Sequence, residues 1–127
     1  MQLTDKIQFR EDLKFRLRQF VLNLIKECKT FPREDDAIII KKQLLRSGSS
    51  VYANYRAANR ARSNAEFFSK ISIAVEEADE TEMWLDLIIH AEISNNKEAT
   101  IKLYNESLEL LKIMATIRKN SKKSIND

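Results

Sequence analysis

Residues 43–63 read QLLRSGSSVYANYRAANRARS, and the architecture of the whole chain can be worked out from this stretch. It contains no proline, and its apolar residues recur every three or four positions, which is the spacing of one face of an α-helix. Extended back towards residue 35, this face comprises Ile40, Leu44, Val51, Tyr55 and Ala58. The pattern predicts one long helix over about residues 35–62.

The same helix carries a second face made of small residues. Its members are Ser50, Ala53, Ala57 and Ala61, with Gly48 nearby. Small side chains let a neighbouring helix approach closely, so a helix with two such faces is expected to have two neighbours. A glycine inside a helix costs about 1 kcal/mol relative to alanine. We therefore expect a close helix contact at Gly48.

The residues before Pro32 predict a first helix. It starts near Thr4 or Asp5, whose side chains can accept a hydrogen bond from the first turn. It stops before Phe31-Pro32, because proline disfavours helical dihedrals in the residue before it. The apolar face of this helix is formed by Leu13, Leu17, Phe20, Leu24 and Cys28.

Two more helices follow the long one. The third begins at Ser63-Asn64-Ala65-Glu66, which has the spacing of a capping box, and the fourth follows Ser94-Asn95-Asn96. The predicted apolar face of the third helix is Phe67, Ile71, Ala74, Ala78, Leu85 and Ile88. That of the fourth is Ile101, Tyr104, Leu108, Leu111 and Ala115, widened by Leu110, Ile113, Met114 and Ile117. Residues 120–127 show no periodicity and are predicted to be a disordered tail.

Short connections between four helices force each helix back along its predecessor. The sequence therefore predicts an all-α fold, an up-down-up-down antiparallel four-helix bundle over residues 1–119. In such a bundle, positions on the second and third helices whose numbers add to about 126 lie at the same level. Arg46 is thus expected to pair with Glu77 or Glu80.

Composition excludes several classes of protein. The 127 residues include one glycine, one histidine and one cysteine, which excludes glycine-rich phosphate loops and an internal disulfide. No apolar run reaches the roughly 18 residues of a membrane span, so no membrane partner is expected. With no secretory leader evident, a reducing cytoplasm is the expected location.

Candidate catalytic groups are few. His90 has no second histidine, and Cys28 lies on an apolar face, so neither indicates an active site. Carboxylates cluster in residues 76–82, but a di-iron site needs a Glu-x-x-His motif on each of two helices. We predict no catalytic residues, no metal, no cofactor and no small-molecule substrate. A metal-dependent hydrolase that uses these carboxylates is a third, weaker alternative.

Basic charge is concentrated in the second helix. Residues 41–70 carry 7 basic groups and 1 acidic group, whereas residues 71–110 carry 2 and 10. Arginines interleaved with tyrosines suit phosphates and exposed bases. The candidate nucleic-acid-binding residues are Lys41, Lys42, Arg56, Arg60 and Arg62. An alternative is that the basic residues pair only with the acidic third helix.

Apolar residues also lie outside the predicted core of the third helix. Ile73, Trp84 and Leu87 fall off its main face, and the chain has more apolar surface than a monomer of this size can bury. These three residues are the candidate apolar interface of a homo-oligomer.

The stretch 43–63 resembles the signature of the four-helix bundle proteins encoded in 23S rRNA intervening sequences. Further similarity lies in residues 76–81, in Trp84-Leu85, and in Phe31-Pro32 at the end of the first helix. The resemblance covers roughly residues 12–89. The chain differs from the usual pattern at Tyr52, where glycine is common, and at Lys41-Lys42, where glycine and asparagine are common.

This resemblance implies an up-down bundle that assembles into a homopentameric ring, with no established enzymatic activity and no cofactor. A related branch is the accessory protein of diversity-generating retroelements, which works with a reverse transcriptase. The polar positions that the match marks as characteristic of the family are Arg46, Asn54, Arg56, Arg60, Arg62, Glu77 and Glu80. The candidate structural or intersubunit polar pairs among them are Arg46, Asn54, Glu77 and Glu80.

Two main hypotheses follow for the function. In the first, the protein is a non-enzymatic oligomer that binds RNA or a ribonucleoprotein through its basic second helix. In the second, it is a protein-binding adaptor, such as a reverse-transcriptase accessory subunit, whose arginines form structural and intersubunit ion pairs.

Overall fold

The computed structural model describes the backbone of residues 2–126 and the side chains of residues 2–122. Four helices make up the fold, and the described residues form no strand. They are α1 (Leu3–Cys28), α2 (Asp35–Asn59), α3 (Asn64–His90) and α4 (Lys97–Asn126). The prediction of an all-α four-helix bundle is confirmed.

Each helix runs antiparallel to its neighbours. α2 lies between α1 and α3, and α4 packs against α3 and α1, so α1 and α3 are diagonally opposed. The packing of α1 is the sparsest in the bundle. An ion pair between Arg16 and Glu106 joins the middle of α1 to α4, with a donor–acceptor distance of 2.6 Å.

Two helices begin at side-chain caps that the sequence indicates. The backbone N–H of Glu66 donates to Ser63 Oγ at 3.1 Å, which confirms the predicted start of α3. The backbone N–H of Ala99 donates to Asn96 Oδ1 at 3.0 Å at the start of α4. Such caps satisfy backbone donors that have no partner within the helix. α1 starts at Leu3, its N-cap residue is Gln2, and no side chain caps it, so the predicted cap at Thr4 or Asp5 is wrong.

The end of α3 has a feature that the sequence does not signal. Glu92 adopts a φ of 54°, in the left-handed region that favours glycine. The N–H of Ile93 donates to the carbonyl of Ile88, and that of Glu92 donates to the carbonyl of Ile89. This is the hydrogen-bonding pattern of a Schellman motif. Ile93 is buried, so the turn also fastens the connection to α4 into the core.

The glycine of α2 lies at a close contact with α1. A Cβ atom on Gly48 would collide with Cδ1 of Leu24, a core residue that is fully buried. The predicted reason for this glycine is therefore confirmed. Beside it, the buried Thr81 hydroxyl donates to Ser47 Oγ at 2.9 Å and links α2 to α3.

Burial agrees with the predicted faces except in α4. All five residues of the predicted face of α1 are buried. In α4, the buried positions are Thr100, Leu103, Ser107, Leu110 and Met114. Leu110 and Met114 belong to the predicted widened face, but the main predicted stripe is rotated away by one residue. Thr100 and Ser107 carry hydroxyl groups, so a pattern based on hydropathy does not place them in the core. They tolerate burial because each donates to a carbonyl of its own helix or cap, at Asn96 and Tyr104.

The predicted end of the bundle also differs from the structure. α4 continues to Asn126, seven residues beyond Lys119, where the sequence predicts a tail. Once a helix is formed, each added residue gains a backbone hydrogen bond while only that one residue is fixed, whereas nucleation fixes several residues for the first bond. Ser121 donates to the carbonyl of Ile117 within this extension. Residue 127 lies outside the described residues.

Candidate nucleic-acid interface

One exposed stripe runs along the outer side of α2. Its members follow a spacing of three and four residues and are Lys42, Arg46, Ser49, Ala53, Arg56 and Arg60. Lys41 is not part of this stripe. It is turned by about 100° around the helix axis, and its charge acts on the Cys28 thiol at the end of α1. The two predicted lysines therefore face different surroundings.

Arg46 is held by carboxylates of α3. Its guanidinium donates to Glu77 Oε2 at 3.1 Å through Nη1, to Glu80 through Nη2 and to Gln43 Oε1 at 3.1 Å through Nε. The indole N–H of Trp84 also donates to Glu80, at 3.3 Å. About half of the Arg46 side chain is exposed, at 48%. Its charge is compensated within the chain.

Asn54, by contrast, hydrogen-bonds within its own helix. Its amide donates to the carbonyl of Ser50 at 2.9 Å and to Ser50 Oγ at 3.0 Å. Within the single chain, Asn54 therefore stabilises α2 locally, and these bonds do not link it to α3.

The predicted apolar residues of α3 share one stripe with the partners of Arg46. Ile73 precedes Glu77 by one turn, and Leu87 follows Glu80 by two turns. Ile73 and Trp84 are half-buried, and Leu87 is exposed. The antiparallel register brings Ile39 of α2, which is 60% exposed, to the level of Leu87. The outer face of α2 and α3 thus has apolar residues on both sides of an ion-pair network.

Three arginines near the end of α2 lack strong partners. Arg56 stacks over Tyr52, with 5.6 Å from its guanidinium carbon to the ring centroid, and Arg60 forms no ion pair among the described residues. Arg62 reaches Glu66 at 3.5 Å, but 90% of its side chain is exposed. We call Arg56, Arg60 and Arg62 the terminal arginines. Their charges are almost uncompensated within the chain.

The terminal arginines lie at one end of the bundle, which we call the open end. It comprises the start of α1, the end of α2, the start of α3 and the end of α4. Further exposed cations at this end are Lys6, Arg10, Lys119 and Lys122. Lys42 lies on the same stripe as Arg56, but about 21 Å away along the helix. The five predicted basic residues therefore form no single patch.

A cavity of about 750 Å³ opens at the same end. All four helices contribute to its lining, which includes Lys6, Arg10, Tyr55 and Asn59. Lys6, Arg10 and Asn59 are not among the residues predicted from the sequence. A signal is nevertheless present, because stepping back from Leu13 along the buried face of α1 leads to Arg10 and then to Lys6.

The other groups considered for chemistry are arranged as follows. No group of three His, Cys, Asp or Glu side chains among the described residues is placed to hold a metal ion. His90 is exposed and lies 3.2 Å from Asp86, four residues before it. Burial raises the pKa of the Cys28 thiol to about 11, and nearby Lys41 only partly offsets this. Cys28 is therefore a thiol, not a reactive thiolate, near neutral pH.

None of the described helices combines the length and apolarity needed to cross a membrane.

Comparison with known proteins identifies a family and a solved structure that are similar to this chain. A family model described as "23S rRNA-intervening sequence protein" matches residues 13–116, which include parts of all four helices. A crystal structure from Bacteroides thetaiotaomicron VPI-5482, described as a protein of unknown function from the S23 ribosomal protein family, is 35% identical. Its TM-score is 0.78, and the match covers 87% of this chain and 97% of that one. No curated protein matches the chain.

Proposed function

The chain belongs to the family of 23S rRNA-intervening sequence proteins, and from this premise we propose that it is a non-enzymatic homo-oligomer that binds RNA or a ribonucleoprotein. The observation that carries the proposal is the uncompensated charge of the terminal arginines. It contrasts with Arg46, which is engaged by two carboxylates on the neighbouring helix.

Phosphate recognition is the chemistry that suits such arginines. A guanidinium offers several donors in a planar fork that matches phosphate oxygens, and it remains charged at all physiological pH values. Three of them within seven residues, joined by Lys6 and Arg10 at the same end, create a positive potential that attracts a polyanion. Most of the affinity would come from contacts to the RNA phosphate backbone. Such contacts make binding salt-dependent and largely independent of the RNA sequence.

We propose that these residues contribute unequally to the contact. The terminal arginines form its centre, and Lys42 extends it along the exposed stripe of α2. Lys41 contributes least, because it faces α1. An RNA that follows this stripe would pass the small residues Ser49 and Ala53, which leave room for a sugar-phosphate backbone.

We further propose that the oligomer is a homopentamer in the cytoplasm. The outer face of α2 and α3 supports self-association, since Ile39 and Leu87 are exposed beside the half-buried Trp84 and Ile73. Repetition of the basic end in a ring would allow weak contacts to add when one RNA spans several subunits. Light scattering should give about 74 kDa, five times the 14.8 kDa chain, and a stable monomer at micromolar concentration would contradict this part.

The second candidate function is a protein-binding adaptor, such as an accessory subunit of a reverse transcriptase. It is favoured by the Arg46 network, because an arginine that bridges two helices beside exposed apolar residues is typical of a protein interface. In this case the terminal arginines would pair with acidic residues of the partner.

RNA binding over a salt series distinguishes the two functions. We expect the double variant Arg56→Glu/Arg60→Glu to bind a structured RNA at least 10-fold more weakly and with a flatter salt dependence. The matched control is Arg18→Glu/Arg33→Glu, which makes the same charge change at exposed residues away from the open end. If both double variants lose the same affinity, only net charge matters. If neither loses any, the terminal arginines do not contact RNA.

A further inference from the structure

The open-end cavity exists because the core-facing side of α1 changes from apolar to basic residues towards its N-terminus. From Leu13 to Cys28 this face is apolar and packs into the core. One and two steps nearer the N-terminus it presents Arg10 and Lys6, which cannot enter an apolar core without a partner. α1 therefore leaves a space of about 750 Å³ between itself and the ends of the other helices. This volume is typical of a small-molecule site.

The charge in the cavity is unbalanced. Lys6 and Arg10 line it, and none of the described lining residues is Asp or Glu. Neither cation forms an ion pair within the described part of the chain. The cavity therefore complements an anion.

The remaining lining is apolar and aromatic, with amide groups among it. Phe9 of α1 and Phe67 of α3 lie on diagonally opposed helices, and Ile113 and Ile117 of α4 add aliphatic surface. A flat ring that enters between α1 and α3 would thus have an aromatic side chain available on each side. Stacking on aromatic rings is the common way in which proteins hold exposed bases.

One buried atom identifies a further requirement of the ligand. Asn59 Oδ1 is inaccessible to solvent and receives no hydrogen bond from the described residues. The Asn59 side chain also interacts with the hydroxyl of Tyr55, which donates to the backbone carbonyl of Arg10 at 3.4 Å. A buried acceptor without a donor costs about 1–3 kcal/mol. Asn59 lines the cavity, and rotation about its χ2 angle would turn Oδ1 towards the cavity. A ligand that then donates an N–H group would remove this cost, whereas an aliphatic acid would not.

We propose that the open-end cavity binds one nucleotide, with the base near Phe9 and Phe67, a base N–H donating to Asn59 and the phosphate contacting Lys6 and Arg10. The chemistry is shared by a free nucleoside monophosphate and by an unpaired nucleotide of an RNA. The second source rests on the proposed RNA binding, since the terminal arginines border the same end.

Adenosine 5′-monophosphate is the probe that tests the pocket without RNA. We expect it to shift the δ1-methyl NMR resonances of Ile113 and Ile117 and to leave that of Ile40, near the opposite end of α2, unchanged. Asn59→Leu should weaken its binding about 10-fold. Asn54→Leu is the matched control, because Asn54 lies on the same helix outside the cavity. Arg10→Gln should also weaken binding, and it changes no buried core residue.

Three results would contradict the proposal that this cavity binds a nucleotide. They are the absence of shifts at Ile113 and Ile117 with millimolar nucleotide, equal shifts with inorganic phosphate alone, and equal losses in Asn59→Leu and Asn54→Leu. A separate measurement of RNA binding distinguishes the two sources of the nucleotide. If Asn59→Leu weakens single-stranded RNA but not a blunt duplex, the RNA provides the nucleotide. If RNA affinity is unchanged while the monophosphate is lost, the ligand is a free nucleotide, and the pocket stands whether or not RNA binding does.

Discussion

The two ends of the bundle differ in both packing and charge. At the end opposite the cavity, which we call the closed end, the carboxylate of Glu27 is buried and accepts a hydrogen bond from Ser94 Oγ at 2.8 Å. Phe31 and Ile93 close this end with buried side chains. At the open end, residues 3–12 of α1 are all exposed, and cations surround a cavity.

This difference shows how a small helical domain can separate stability from recognition. Regions with few buried contacts contribute little to the global free energy of unfolding and are the ones available for ligands. The closed end and the middle hold the helices together. The open end can present charged and polar groups that would be too costly in a packed core.

The largest effect should come from paired truncations in α1. Leu24→Ala removes a fully buried side chain and should lower the free energy of unfolding by about 2–5 kcal/mol. Phe9→Ala, at a side chain that is 42% exposed, should cost about 1 kcal/mol or less. Urea denaturation measures both. Equal costs would mean that the open end is packed as tightly as the closed end.

The buried carboxylate of the closed end gives the next test. Glu27→Ala removes the acceptor of the Ser94 hydroxyl and should destabilise the protein by about 1–3 kcal/mol. Glu76→Ala is the control at a glutamate outside the core and should change stability by about 0.5 kcal/mol or less. If Glu27→Ala is as mild as its control, the loop before α4 is not fastened through this residue.

Alkaline pH should weaken the closed end through Cys28. Burial raises the pKa of this thiol from its ordinary value of 9.0 to about 11. The resulting stability is fully present below the unfolded pKa and is lost as the pH rises towards 11, with about 1.4 kcal/mol gone near pH 10. The difference between parent and Cys28→Ala, measured by urea denaturation at pH 8 and pH 10, isolates this residue from the tyrosines. An identical pH dependence in both proteins would show that Cys28 is solvated.

A substitution at the left-handed turn after α3 should increase the stability of the protein. Glu92→Gly removes the steric penalty of a positive φ and should raise the free energy of unfolding by about 1 kcal/mol. Ala91→Gly, at the adjacent helical position with a φ of −86°, should not stabilise. Thermal melting compares the two variants, and destabilisation by Glu92→Gly would mean that the side chain itself holds the turn.

The smallest effect is expected at Arg46, midway between the two ends. Its ion pairs are half-exposed in the single chain, so Arg46→Ala should cost at most about 1 kcal/mol. A double-mutant cycle with Glu77→Ala measures the coupling directly. A cost of about 3–5 kcal/mol, or dissociation of an oligomer, would instead place the pair in a buried interface.

Local chemistry makes much of the fold predictable. The apolar face of α1, the cap at Ser63 and the close contact at Gly48 all follow from spacing, hydrogen-bonding capacity and side-chain size. The main predicted stripe of α4 is one residue away from the buried face because Thr100 and Ser107 are polar residues in the sequence. Their burial depends on hydrogen bonds to nearby backbone carbonyls, and a hydropathy pattern does not contain that information.

Four helices, their antiparallel order and the concentration of basic charge follow from the sequence alone, because periodicity, caps and short connections act over a few residues. Which charges are compensated depends on how the helices pack. Arg46 meets two glutamates some thirty residues away, whereas Arg60 on the same stripe meets none in the described structure. The cavity is likewise a tertiary feature, since it arises where Lys6 and Arg10 face the ends of three other helices. The compensation of a charge and the enclosure of a cavity both depend on distances between segments that are remote in sequence. Only the packing of the helices fixes those distances.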